Sequence, residues 1–133
     1  MRFIFLFLLT TALLSCKHDD NRQNCSGELV CTEIFVSIII DVLDSEGEPL
    51  QLDAYTLTNL DTEETLNLPQ LTLQPRYPIA NDSMLDSLPP EGHRIEFVGI
   101  IDGVEVVRQT FLVGHDCCHV VLIEGPTTIQ LSL

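Results

Sequence analysis

Basic residues are scarce in this chain. Six Lys and Arg stand against twenty Asp and Glu, a formal net charge of −14 at pH 7. A field of that sign is a poor match for phosphate backbones and anionic membrane surfaces, so nucleic acid is not expected as a partner. Tryptophan is absent and aromatics make up only 6% of residues. That argues against an exposed carbohydrate platform, which relies on flat aromatic faces, and ranks protein partners above glycans. No apolar run reaches the ~20 residues that a spanning helix requires. The sequence also lacks a Gly-x-Ser-x-Gly elbow, a His-Glu-x-x-His pair and a phosphate loop, and no pair of carboxylates stands out from the solvated surface. A non-enzymatic protein without a cofactor is expected. There is no internal repeat and no low-complexity tract.

What is present begins with an address. Met1-Arg2 is followed by the apolar run Phe3 to Leu14, broken only by Thr10 and Thr11, and then by Ser15-Cys16. A positive start, a short apolar core and a small residue at the cut are the layout of a secretory signal. Leu13-Leu14-Ser15-Cys16 resembles the lipobox, in which the cysteine is acylated and becomes the mature N-terminus. Residues 1–15 are therefore expected to be a lipoprotein signal peptide, with Cys16 lipidated and membrane attachment through that lipid. Cys16-Lys17-His18-Asp19-Asp20 is similar to the export signal of surface lipoproteins in Bacteroidota, with His18 intruding between the lysine and the acids. An outer-membrane lipoprotein is implied, either surface-exposed or facing the periplasm. Residues 16–30 read as a lipidated cysteine and polar tether. Loss of Arg2 with the signal leaves five basic residues against twenty acidic ones, about −15, and residues 31–133 suffice for one domain with one core.

That domain reads as strand. Ile34, Val36, Ile38, Ile40 and Val42 alternate along one face, and Ile39 and Leu43 add apolar groups to the other. Asp44-Ser45-Glu46-Gly47 closes this strand with turn chemistry. A second strand is expected over Leu52 to Leu60, and Asp61 to Glu64 turns the chain into Thr65 to Leu68. Pro69, Pro75 and Pro78 confine Gln70 to Ile79 to edge strand or loop. Asp82 to Leu88 can form one helical turn with an Asp or Ser cap, stopped by Pro89-Pro90. Arg94 to Ile101 and Val104 to Val113 flank Asp102-Gly103, a dipeptide favoured in tight primed turns. A last pair, Cys118 to Ile123 and Thr128 to Leu131, is divided by Glu124-Gly125-Pro126. Seven to eight short strands with regular turn signals predict an all-β protein, an antiparallel β-sandwich of Greek-key, immunoglobulin- or transthyretin-like type.

Asp44, Gly47, Pro49, Leu50, Ala54, Asn59, Asp61, Thr62 and Glu64 fall in a pattern similar to the transthyretin-like, carboxypeptidase-regulatory-like domains. In that family a strand ends in Asp-x-x-Gly-x-Pro-Leu, and the next runs through Ala to an Asn-x-x-Thr-x-Glu turn. Leu88-Pro89-Pro90-Glu91-Gly92-His93-Arg94-Ile95 resembles the family's Leu-Pro-x-Gly-x-Tyr step, departing at His93. The resemblance covers Ile34 to about Val113 and implies an accessory or binding module rather than an enzyme.

The most unusual stretch is His115-Asp116-Cys117-Cys118-His119. With Cys25 and Cys31 it gives four cysteines besides Cys16, and an even number in an exported chain of this size reads first as disulfides. Four cysteines allow three connectivities. A vicinal Cys117–Cys118 bridge is disfavoured because strand neighbours point to opposite faces. Cys25 and Cys31 are each expected to pair with one of Cys117 and Cys118. Closing a loop of nearly 90 residues should stabilise by roughly 4–5 kcal/mol in the chain-entropy model. The alternative is an envelope metal-binding protein using His115, Cys117, Cys118 and His119, whose donors suit copper or zinc. On a straight strand His115 and His119 would lie about 13 Å apart, and the spacing is not that of Cys-x-x-Cys zinc sites.

Asp41, Asp44, Glu46 and Glu48 crowd one turn without the ordered run of a calcium loop, so a hairpin decorated with acids is expected. Asp82-Ser83-Met84 and Asp86-Ser87-Leu88 resemble O-glycosylation sites of Bacteroidota, which makes Ser83 and Ser87 candidate glycan acceptors. The expected function is a lipid-anchored, non-enzymatic binding or accessory module of the envelope.

Overall fold

The computed structural model describes residues 25, 29–69 and 75–132. The expected signal peptide, Cys16 and most of the expected tether lie outside the described residues. Among the described residues, eight strands form two sheets: a three-stranded sheet in the order β4-β1-β8 and a five-stranded sheet in the order β3-β2-β5-β6-β7. The strands are β1 (Ser37–Leu43), β2 (Ala54–Asn59), β3 (Glu64–Leu66), β4 (Arg76–Asn81), β5 (His93–Ile101), β6 (Val104–His115), β7 (Val120–Glu124) and β8 (Thr128–Gln130). The protein is an all-β sandwich, as its alternating pattern predicts.

The core lies between the sheets. Ile40, Val42 and Ile79 from one sheet and Leu57, Ile95, Phe97, Phe111 and Val113 from the other are fully buried. The Tyr77 ring meets those of Tyr55 and Phe97 at centroid distances of 5.3 and 5.7 Å. Its hydroxyl donates to Leu50 O at 2.8 Å and accepts from Leu52 N at 2.8 Å, satisfying the strand-free link between β1 and β2.

The β5–β6 hairpin turns at Asp102 (φ 51°) and Gly103 (φ 75°). Positive φ at both central residues is the signature of a type I′ turn, which matches the twist of the flanking strands. The register shifts at Gly99/Ile100. A Cβ on Gly99 would lie 2.6 Å from both Leu52 Cδ1 and Val107 Cγ1, so the absence of a side chain there lets the 50–53 link lie against the sheet.

Of four expectations, three need adjustment and one holds. First, β1 begins at Ser37 rather than near Ile34. The Val36 N–H donates to Asp82 Oδ2 and the Val36 carbonyl accepts from Asp82 N, so the chain there is docked on another segment instead of a partner strand. Second, the expected edge strand is there: residues 76–81 form β4 at the edge of the smaller sheet, with Pro78 inside it. Its pairing with β1 slips between Ile38 and Ile39, so that Ile38 faces Ala80 and Ile39 faces Pro78. A bulge on an edge is where a residue without an N–H is tolerated. Third, the sandwich is not wholly antiparallel, because β8 runs parallel to β1. The last two strands do not form a hairpin: β7 belongs to the larger sheet, and the chain arches over at residues 125–127 to enter the smaller one. Fourth, the helical turn is the 3-10 helix Asp82–Ser87, and its cap is Asn81, whose side chain accepts from Ser83 N. Neither Asp82 nor a serine serves as the cap.

Candidate functional site

The chemistry-bearing residues gather where the N-terminal segment meets the β6–β7 connection. β6 ends at His115 and β7 begins at Val120. Between them Asp116 Oδ1 accepts from Cys118 N at 3.0 Å and from His119 N at 2.8 Å, while Asp116 N donates to His119 O at 3.0 Å. An aspartate side chain that captures main-chain amides two and three residues on builds a turn in place of a strand. Cys117 takes φ 80° within it. The His115–His119 stretch is thus a tight connection, and the expected strand from Cys118 begins only at Val120.

This turn directs both cysteines toward the N-terminal segment. Cys25 is bonded to Cys117 and Cys31 to Cys118, with Cα–Cα distances of 5.4 and 5.3 Å. Of the three possible connectivities, the structure selects this one, in which Cys25 and Cys31 each take one of the adjacent pair.

The histidines part company. His115 Nδ1 accepts from Cys117 N at 3.0 Å. His119 donates from Nδ1 to Asp82 Oδ2 at 2.8 Å, and its Nε2 lies 2.9 Å from Thr32 Oγ1. Because an ionised carboxylate only accepts, the partners assign the proton to Nδ1 and make Nε2 the acceptor of the Thr32 hydroxyl. The four residues of the alternative metal reading, His115, Cys117, Cys118 and His119, therefore do not converge. Among the described residues, potential donor atoms of Cys25, His115 and Cys117 lie within 4.8 Å of one another. Soft metals bind thiolate sulfur, and these two sulfurs are bonded to each other.

Asp82 is the hub of the arrangement. Its Oδ2 accepts from Val36 N at 2.7 Å and from His119 Nδ1, and its Oδ1 accepts from Val120 N at 2.9 Å. The side chains of Asp82 and His119 are only 10% and 19% exposed, so these bonds are shielded from water. Burial pushes the Asp82 carboxyl pKa up, but the bonds from Val36, His119 and Val120 outweigh it and hold the group below its usual range. Asp116 is lowered in the same direction, first by the amide of His119 and then by that of Cys118. No local sequence signal marks Asp82, Thr32 or Val36 as partners. Asp82 lies 46, 37 and 38 residues from Val36, His119 and Val120.

A carboxylate that orients an imidazole whose other nitrogen meets a hydroxyl follows the order of a nucleophilic triad. Here the carboxylate also accepts two amides from segments remote in sequence, and the hydroxyl belongs to the residue after a disulfide cysteine. Chemically the network ties the 25–36 segment, the 3-10 helix and the β6–β7 turn into one unit.

The other expected residues lie apart. Asp44 Oδ1 accepts from Glu46 N at 2.8 Å and Glu48 N at 3.0 Å, and Asp41 pairs with Arg76 at 2.8 Å. The acidic turn is a capped hairpin of ordinary kind. Ser83 and Ser87 are both exposed on the 3-10 helix, with hydroxyls donating to Asn81 Oδ1 and Met84 O. What the pattern did not foresee is the exposure of large apolar side chains just before β1: Leu29 (51%), Val30 (96%), Ile34 (69%) and Phe35 (63%).

With this geometry established, comparison with known proteins returned no matching protein-family model, no matching curated protein and no matching solved structure.

Proposed function

We propose that this protein is a lipoprotein of the bacterial outer membrane, acylated on Cys16, whose sandwich is a non-enzymatic binding or accessory module for an envelope protein. The observation that carries the reading is the double fastening of the 25–36 segment by Cys25–Cys117 and Cys31–Cys118. That segment joins the acylation site to the sandwich, and paired cysteines belong to an exported, oxidising compartment. Among the described residues no helix is long and apolar enough to cross a membrane. Every arginine of the described sandwich is paired with a carboxylate: Arg76 with Asp41, Arg94 with Asp61, and Arg108 with Glu96 and Glu105. The surplus acids favour a basic or neutral protein surface over nucleic acid. Kinship with transthyretin-like modules is part of the proposal. Its motifs fall at two turns, Asp44–Gly47 and Asn59–Glu64, where Asn59 Oδ1 accepts from Asp61 N and Thr62 N. Glycans on Ser83 and Ser87 are a further part of it.

The test is the intact mass and fractionation of the native protein beside Cys16→Ala. Acyl-chain mass on the native protein, lost together with membrane retention in the variant, is the expected result. An unacylated native protein that still begins before Cys16 would overturn the reading.

A further inference from the structure

We infer that the apolar segment Leu29–Phe35 rests on the lipid bilayer, holding the sandwich with its Asp102-Gly103 turn directed away from the membrane. This rests on the proposed acylation of Cys16 and adds to it an orientation and a second contact.

Three observations carry it. The first is composition and exposure. Within seven residues the segment presents Leu29, Val30, Ile34 and Phe35, none less than half exposed. Its one charged residue among 29–36 is Glu33, so no basic group calls for an anionic surface and a zwitterionic interface fits. Aliphatic and phenyl side chains are the residues that enter the boundary between headgroups and acyl chains.

The second is reach. Cys25 follows Cys16 by nine residues, a length of chain that spans at most roughly 30 Å when fully extended. Cys25 and Cys31 are bonded to Cys117 and Cys118, and Thr32 meets His119. The apolar residues therefore cannot be displaced far from the end of the sandwich to which the tether delivers the lipid. A contact held this close forms at high effective concentration, so a modest apolar surface is enough to set orientation.

The third is the length of β6. This strand begins at Val104, beside the Asp102-Gly103 turn, and ends at His115, beside the fastened segment. Eleven steps along a strand carry the turn about 36 Å from the fastening. Val104, 63% exposed, marks that far end. With the near end on the bilayer, the far end stands clear of it.

The absence of tryptophan provides a clean test. The full chain is expressed as the lipoprotein, extracted in detergent, and reconstituted into phosphatidylcholine vesicles with ordinary or brominated acyl chains. Three single-tryptophan variants are compared: Phe35→Trp, Ile34→Trp and Val104→Trp. All three positions are exposed, so the fold tolerates the larger ring. The expected result is a blue-shifted emission, strongly quenched by brominated lipid, at position 34 or 35 and no quenching at 104. Vesicle-bound protein with no quenching at either near position overturns the inference and leaves the patch to a protein partner. Equal quenching at 35 and 104 overturns the orientation. Protein that carries no acyl chain and does not join the vesicles removes the lipoprotein reading itself, and this inference with it; intact mass, measured first, separates that failure from the others.

Discussion

Asp82 and His119 are 37 residues apart in the chain and 2.8 Å apart in space, and the same carboxylate accepts the amides of Val36 and Val120. One side chain thus closes the entry of the chain, the 3-10 helix and the last hairpin onto each other. Removing its charge should unfasten all three.

Asp82→Asn keeps the shape but replaces an acceptor of three bonds with an amide that has one acceptor oxygen. It should destabilise the protein by about 1–3 kcal/mol at neutral pH. The pH dependence has a definite sign. The folded carboxyl lies below its ordinary 3.8, so its contribution is complete above the unfolded value and fades as pH falls through the folded one. Asp116 adds to the same acid limb. Urea midpoints measured from about pH 6 down to pH 2 should show wild type and Asp82→Asn converging at the acid end. A gap that stays constant to pH 2 would show that the ionised carboxylate contributes nothing.

The two disulfides are coupled through geometry. With either closed, a loop of about 90 residues is already constrained. The second then closes only a ring of residues 25–31 and 117–118. In the chain-entropy model a large loop contributes roughly 4–5 kcal/mol and a ring of about nine residues roughly 2–3 kcal/mol. The double variant Cys31→Ala/Cys118→Ala should therefore lose only the smaller amount, as should Cys25→Ala/Cys117→Ala. Removing all four cysteines should cost more than the two losses combined. Denaturant unfolding of the three variants checks this. Simple additivity would mean that the unfolded chain is already compact near these residues.

Tyr77 reaches across the link between β1 and β2. Tyr77→Phe keeps the ring stacked in the aromatic cluster but strands the buried Leu52 N–H and the Leu50 carbonyl. An unsatisfied buried amide costs roughly 1–3 kcal/mol, so the variant should melt lower, while Tyr55→Phe, at a ring with greater exposure, should be close to neutral. Similar effects of the two substitutions would show that the Tyr77 hydroxyl is not the anchor.

How much of this was readable from sequence follows from the range of the interactions. Ile40 and Val42 sit where strand alternation places them, and Asp102-Gly103 makes the turn its chemistry demands, because both depend on neighbours a few residues away. The cysteines announced a bridge between the chain's ends, though not which partner each would take. Asp82 was legible only as a helix cap. Its carboxylate was free for distant amides because Asn81, one residue earlier, took the cap. The start of β1 escapes the pattern for the same reason: Val36 has strand chemistry, but its amide and carbonyl face Asp82. The parallel pairing of β8 with β1 depends on an arch between sheets, for which Glu124-Gly125-Pro126 signals a break but no direction.

The Thr32–His119–Asp82 series provides the sharpest check on the non-enzymatic reading. If the series is only a fastener, Thr32→Val should lose one exposed hydrogen bond, at most about 0.5–1.5 kcal/mol, and alter no chemistry. A nucleophile would behave otherwise. His119, oriented by Asp82, would take the Thr32 proton as the hydroxyl attacked an activated ester, and an acyl group would remain on Thr32. The native protein, incubated with a p-nitrophenyl ester, should release nitrophenolate no faster than Thr32→Val or His119→Gln and gain no acyl mass. Release that is lost in both variants, with an acyl adduct mapped to Thr32, would make this surface a catalytic site and displace the binding-module proposal. The expected outcome is the inert one, because fastening alone accounts for the series: Asp82 joins Val36, His119 and Val120, and His119 joins Thr32.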